Sequence, residues 1–203
     1  MKGEIQNIIF DIGGVILHVD FARPVGIMAR ETGLSPEQIM EDIFNGPELE
    51  RYDRGRIGCG EFFQSIRSRF NMKMDEREMK RLWSDIFEEN RAVSGLIRRW
   101  HGTVPLFLLS NTCKSHVDQF EAQFDVFKLF KDRVYSFETG HLKPELEIFE
   151  QAIHRFQIDP LTTLFIDDKE DNVEGANRVG LHALRFLDSE TLVSDLKKLG
   201  LTV

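Results

Sequence analysis

Cysteine is scarce in this 203-residue chain, which carries two, Cys59 and Cys113. They are far apart, without the short spacing of a zinc site, and two thiols make no disulfide framework. That suits a reducing compartment and a cytoplasmic location, although a single bridge between them stays open on sequence grounds. Long apolar runs are absent too, and none nears the length that spans a bilayer. The opening MKGEIQNIIFD has neither the apolar core nor the small-residue cleavage site of a signal peptide, so none is expected. Blocks of Lys and Arg are also missing. Net charge is −8, and where bases gather, as in RLWSDIFEENRAVSGLIRRW, acids interleave with them as on a solvated helix face. Nucleic acid is therefore not expected as a partner, because neutralising phosphates requires a basic surface. No repeat, low-complexity tract, dinucleotide fingerprint or glycine loop followed by Lys-Ser/Thr occurs.

What is present is an ordinary globular composition, 41% apolar and 30% charged, in a chain long enough for one domain or one domain with an insertion. Five segments read as strands: 5–10, 104–109, 133–137, 163–166 and 182–186. TVPLFLLSN and TLFIDD are short continuous apolar runs, as expected of strands covered on both faces. Helical patterns separate them. ELEIFEQAIHRF places Leu146, Phe149, Ile153 and Phe156 on one face, and NVEGANRVG stops at Gly180. Alternating strands and helices predict an α/β fold, a doubly wound, Rossmann-like parallel sheet with right-handed crossovers.

One interval departs from that alternation. About ninety residues separate Asp11 from the second strand, far more than a crossover needs. Residues 21–90 read as several helices, among them LSPEQIMEDIF with Ser35 as N-cap and Pro36 at the first helical position. CGEFFQSIRSRF and MDEREMKRLWSDIF follow with helical periodicity. The expected organisation is an α/β core of residues 1–17 and 91–203 and a helical cap of residues 18–90, with Gly13, Gly14 and the 90s segment as candidate hinges. Phe62, Phe63, Phe70 and Trp83 read as cap core.

In an open parallel sheet, ligands bind outside the carboxyl ends of the strands. Those ends carry Asp11, then Ser110 and Asn111, then Asp167 and Asp168, and the loop after the third strand carries Lys143. Clustered carboxylates suit a hard cation such as Mg2+, and adjacent acids at a buried strand end are costly without one. The cation and Lys143 would neutralise a phosphate, Ser110 would hydrogen-bond it, and Asp11 would attack phosphorus to form an aspartyl-phosphate.

FDIGGV, LLSNT, LKPE and FIDDKEDNVEGA occur in that order, and the set resembles the four motifs of the haloacid dehalogenase superfamily over nearly the whole chain, with a cap inserted after the first. Within it the chain looks most like the branch containing α-D-glucose-1-phosphate phosphatases. The resemblance implies a Mg2+-dependent phosphomonoesterase acting on a small phosphorylated metabolite of the sugar-phosphate kind, without nucleic-acid or membrane partners. It implies Asp11 as nucleophile and metal ligand, the Gly13 carbonyl and Asp168 as further ligands, and Asp167 and Asn172 as supports. Ser110, Asn111 and Lys143 would bind the phosphoryl group. One departure stands out: most phosphatases of this superfamily carry a general acid two residues after the nucleophile, where this chain has Gly13. General acid–base help is worth about a hundredfold to ten-thousandfold. His18 is a possible stand-in.

Two other readings follow from that gap. A 2-haloacid dehalogenase would use Asp11 against carbon without a metal, and a catalytically weakened relative would bind a metabolite or partner without turnover. Among other residues, His141 draws weak attention, Cys113 reads as packing, and Tyr52 and Arg51 in ELERYDRGRIG are the cap residues best placed by motif to face the site.

Overall fold

A computed structural model describes residues 4–201. Residues 1–3 and 202–203 of the expected core range lie outside the described residues. The main sheet contains β1 (Asn7–Phe10), β4 (Leu106–Ser110), β5 (Asp132–Tyr135), β6 (Thr163–Asp167) and β7 (His182–Arg185), in the order β5-β4-β1-β6-β7. Every neighbouring pair is parallel. The chain runs from β1 outward through β4 to β5, then returns to the other side of β1 for β6 and β7. β1 therefore lies at the topological switch, where a crevice opens at the carboxyl ends.

Side chains alternate across this sheet and both faces are covered. Ile8, Phe10, Leu108 and Ile166 pack with Val93, Ile97 and Trp100 of helix α6 (Arg91–Trp100) and with Leu192 and Leu196 of α11 (Ser189–Lys198). Ile9, Phe107, Leu109 and Phe165 face α9 (Leu146–Phe156) and Ala176 of α10 (Glu170–Arg178). That double burial explains the continuous apolar runs. The stripe of α9 differs from expectation: Ile148, Phe149, Ala152 and Phe156 are buried, while Leu146 and Ile153 are only partly covered. β5 also stops earlier than expected, at Tyr135, because Ser136–Thr139 turns into the short helix α8.

Residues 22–84 contain five helices: α1 (Ala22–Thr32), α2 (Pro36–Phe44), α3 (Pro47–Asp53), α4 (Cys59–Phe70) and α5 (Glu76–Ser84). Ser35 caps α2 through a reciprocal box with Gln38, with Pro36 at the first position. Their apolar faces form a separate cluster that includes Ile39, Tyr52, Phe62, Phe63, Phe70, Met79 and Trp83, joined from the sheet side by Cys113. Both cysteines are free thiols.

The stretch 21–90 is not wholly helical. β2 (Leu17–Val19) and β3 (Phe87–Glu89) form a two-stranded antiparallel ribbon, with His18 opposite Glu88, through which the chain leaves the sheet region and returns. Local periodicity runs helical through Phe87, but α5 ends at Ser84 and Phe87 pairs with Val19. Asn90 caps α6 and its Nδ2 donates to the Val15 carbonyl at 3.2 Å, fastening the return to the exit. Among the described residues no helix is long and apolar enough to cross a membrane.

Candidate active site

The register of the sheet decides which side chains meet. Phe10 is level with Leu108 on one side and Ile166 on the other, so Asp11, Ser110 and Asp167 emerge together at the carboxyl edge. The Asp11 N–H donates to the Ile166 carbonyl at 2.9 Å, holding its backbone in line. A cavity of about 530 Å³ opens there. Asp11, Gly13, Gly14, Ser110, Asn111, Lys143, Asp168 and Asn172 line its floor. The rest of its lining is mostly apolar, with Val19, Phe21, Phe44, Leu49, Trp83 and Phe87, and includes the titratable groups of Asp53, His18, His116 and Lys169.

Lys143 is the electrostatic centre. The residue is 4% exposed, and its ammonium faces three oxygens: Asp11 Oδ1 at 2.8 Å, Asp167 Oδ2 at 2.6 Å and the Leu109 carbonyl at 3.0 Å. The contacts to Asp167 and Leu109 are hydrogen bonds, and the contact to Asp11 is an ion pair. Asn111 holds the loop in place: its Nδ2 donates to the Lys143 carbonyl and its Oδ1 accepts from the Lys143 N–H. Burial opposes charge on Lys143, but Asp11 and Asp167 more than offset it and its pKa is raised. Burial pushes the Asp11 carboxyl up to about 6, against the lowering effect of Lys143 and of a hydrogen bond from Ser110, with Asp167 adding to the rise.

The two adjacent acids have different surroundings. Asp167 is fully buried and accepts from Lys143, from Asn172 Nδ2 at 2.9 and 3.1 Å, and from the Lys169 N–H at 2.9 Å. Asp168 is half-buried, and its Oδ1 is shielded from solvent yet accepts no hydrogen bond among the described residues. Burial, then the charge of Asp167, raises its pKa. Carboxylate oxygens of Asp11, Asp167 and Asp168 lie within 4.8 Å of one another. Three carboxylates facing one ammonium leave a formal excess of two negative charges, which a divalent cation neutralises. Room for it is preserved by Gly14, which has φ +80° and where an added methyl would lie 2.5 Å from Asp168 Oδ2. An orphaned buried oxygen, an all-oxygen donor set and that cradle fit a hard cation such as Mg2+.

The residues expected at the site from sequence converge on this one cavity, Asp167 standing directly behind it through Lys143 and Asn172. His18 lines the rim and is exposed. His141 lies elsewhere, 3.4 Å from Glu145. Neither Tyr52 nor Arg51 reaches the cavity: Tyr52 is buried with its hydroxyl donating to Ser115 Oγ at 2.8 Å, and Arg51 pairs with Glu61 on the surface. Their neighbour Asp53 lines it instead. Four further lining residues escaped sequence reasoning. His116 stacks on Trp83 at 5.8 Å between ring centroids, and its Nε2–H donates to the Trp83 carbonyl at 3.0 Å. Burial pushes its imidazole down to about 4. Trp83 was legible as cap core, which it also is, but not as a cavity wall; Phe21 and Phe44 carried no signal beyond helix periodicity.

The comparisons agree with this geometry. A sequence model described as a haloacid dehalogenase-like hydrolase matches residues 5–180. The chain is 26% identical over 193 residues to D-ribitol-5-phosphate phosphatase of Bacteroides thetaiotaomicron, covering 89% of this chain and 91% of the relative. It is 24% identical over 193 residues to the sesquiterpene phosphatase astK of Aspergillus oryzae, covering 94% of each. A solved haloacid dehalogenase family enzyme of B. thetaiotaomicron, in complex with magnesium and inorganic phosphate, superposes with a TM-score of 0.81 at 25% identity, over 93% of this chain and 98% of that one. The L-2-haloacid dehalogenase of Xanthobacter autotrophicus shares the fold, with a TM-score of 0.67 at 15% identity over 95% of this chain and 82% of that one. With its family model spanning most of the sequence and its parallel sheet built in the same way, the chain belongs to the haloacid dehalogenase-like hydrolases.

Proposed function

We propose that the protein is a Mg2+-dependent phosphomonoesterase acting on a small phosphorylated metabolite. The observation that carries this reading is the free carboxylate of Asp168 facing Asp11, beside a lysine that keeps Asp11 oriented. Asp11, the Gly13 carbonyl and Asp168 would hold the cation. When bound, it neutralises the phosphate and polarises its oxygens toward attack. Asp11 Oδ attacks phosphorus, the bond to the ester oxygen breaks, and an aspartyl-phosphate forms. Ser110 hydrogen-bonds the phosphoryl oxygens. Lys143 and Asn111 fix the nucleophile and the loop that carries it. Water then releases inorganic phosphate and restores the Asp11 carboxylate. Asp167 and Asn172 keep Lys143 and the strand tip in register.

Residues 18–90 act in this reading as a cap over a core made of 1–17 and 91–203, their helices supplying the wall that excludes water and selects the ester. A sugar or polyol phosphate fits the aromatic wall through its C–H face. The sugar-alcohol phosphatase and the sesquiterpene phosphatase among its relatives bracket the choice between a polar and an apolar ester body. The apolar wall of Phe21, Phe44, Trp83 and Phe87 favours the second as the alternative.

The test is release of phosphate from a panel of sugar, polyol and prenyl phosphates, with Mg2+ and with EDTA. Wild type should turn over at least one with Mg2+ alone, and Asp11→Asn should lose at least about a thousandfold in kcat. Turnover that survives EDTA, or an undiminished Asp11→Asn variant, defeats the reading. Chloride release from a 2-haloacid without Mg2+ would replace it with dehalogenation.

A further inference from the structure

We infer that Asp53, which lines the same cavity as Asp11, is the residue that protonates the leaving oxygen and afterwards takes the proton of the attacking water. The inference rests on the phosphomonoesterase reading and fills the gap at Gly13, a position that has no side chain to give or take a proton.

The carboxylates lining the cavity are Asp11, Asp53 and Asp168. Asp11 is held by Lys143, and Asp168 is the cation's ligand. Asp53 remains, and among the described residues no hydrogen bond or ion pair engages its carboxylate. Its backbone, in contrast, is clamped. Ser136 Oγ donates to the Asp53 carbonyl at 2.7 Å. On one side Tyr52 is tied to Ser115 at 2.8 Å. On the other, Arg54 donates to the Gly140 carbonyl at 3.1 Å and pairs with Glu145. Gly55, at φ +65°, lies so close that an added methyl would sit 2.0 Å from the Phe137 carbonyl oxygen. These contacts fasten residues 52–55 to the segments that follow β4 and β5, the same segments that position Ser110 and Lys143. A side chain left free on a fixed backbone is what proton transfer over hydrogen-bond distance requires.

Burial raises the Asp53 carboxyl to about 6, with His116 and Lys169 limiting the rise, so it holds and releases a proton near neutrality. The histidines serve less well. Because His116 spends its Nε2–H on the Trp83 carbonyl and stays neutral, its Nδ1 carries no proton to give. His18 sits exposed on the ribbon, and among the described residues no hydrogen bond or ion pair holds its ring. In the forward step, Asp11 Oδ bonds to phosphorus, the P–O ester bond breaks, and its electron pair takes the Asp53 proton to leave a neutral alcohol. In the second step, water bonds to phosphorus, its proton passes to the Asp53 carboxylate, and the P–O bond to Asp11 breaks. The cycle returns both side chains to their starting states.

The test uses 4-nitrophenyl, phenyl and benzyl phosphates, aromatic esters of similar size whose leaving groups become steadily more basic. Asp53→Asn should lower kcat/KM for benzyl phosphate about 100-fold or more and the benzyl-to-nitrophenyl ratio by at least roughly 30-fold. Asp53→Glu, which keeps a carboxyl, should recover part of that ratio. Wild type should show a shallow dependence on leaving-group basicity. Equal loss on all three esters, or a steep wild-type dependence, overturns the assignment alone; so does a His18→Gln variant that reproduces the change in ratio. If wild type with Mg2+ hydrolyses none of them or the metabolite panel, the phosphomonoesterase reading falls and takes this assignment with it.

Discussion

Two pairs of neighbouring residues show how little separates support from chemistry. Asp167 and Asp168 are adjacent acids, but the first points inward to Lys143 and Asn172 and the second keeps an unshared oxygen. Gly13 and Gly14 are adjacent glycines with opposite tolerances. At Gly14 the backbone is left-handed and an added methyl would overlap Asp168. At Gly13 an added methyl meets nothing nearer than Val19 Cγ2 at 3.4 Å. Gly14→Ala should therefore abolish Mg2+ binding in calorimetric titration and lower Tm by several degrees, roughly the effect of 1–3 kcal/mol of strain. Gly13→Ala should bind Mg2+ and melt within about 2 °C of wild type, as a substitution without strain or burial change does. Sequence carried the two pairs plainly, and family resemblance assigned Asp168 to the cation. The clash that makes Gly14 obligatory came only from the fold.

At the scale of elements, the loop carrying Lys143 joins three strands electrostatically. Lys143 bridges Asp11 after β1 and Asp167 at the end of β6, and it bonds the Leu109 carbonyl in β4. Lys143→Met leaves two buried carboxylates facing each other. It should cost about 3–5 kcal/mol in urea unfolding, since removing one partner strands the other charges. Added Mg2+ should restore more stability to this variant than to wild type, because the cation then supplies the missing positive charge. The helices were readable from periodicity and capping, Ser35 most clearly. The ribbon of β2 and β3 was not: three-residue strands pair across the whole insertion, and no local period reports that. Likewise ELERYDRG drew attention to the end of α3, where Asp53 lines the cavity and Tyr52 and Arg51 do not. Helix geometry turns Tyr52 into the cluster and Asp53 toward the cavity.

Over the whole molecule, two partly buried groups that line the cavity, His116 and Asp53, set opposing pH dependences. His116 falls from 6.5 to about 4, so the folded state binds fewer protons there, and its contribution is lost as pH drops from 6.5 toward 4. Asp53 rises from 3.8 to about 6, so the folded state binds more protons there, and stability is gained as pH drops through 6. Each amounts to about 3 kcal/mol, and they largely cancel between pH 4 and 6. Asp53→Asn should expose the histidine effect, giving a steeper loss of unfolding free energy between pH 6.5 and 4 than wild type. His116→Gln should flatten or reverse it. Denaturant titrations across that range decide the matter, and parallel slopes in all three proteins would refute it.

The order of strands and helices, the apolar runs that demand a sheet covered on both faces, and the acids and lysine at the strand tips were all in the linear chain, because hydrophobic period and motif order are local properties. Which oxygen stays free, which side chains share the cavity with the nucleophile and which cap residue lines it were settled by the folded molecule. Those depend on register between distant strands and on side-chain direction at a docked helix end, and neither leaves a trace in the spacing of residues.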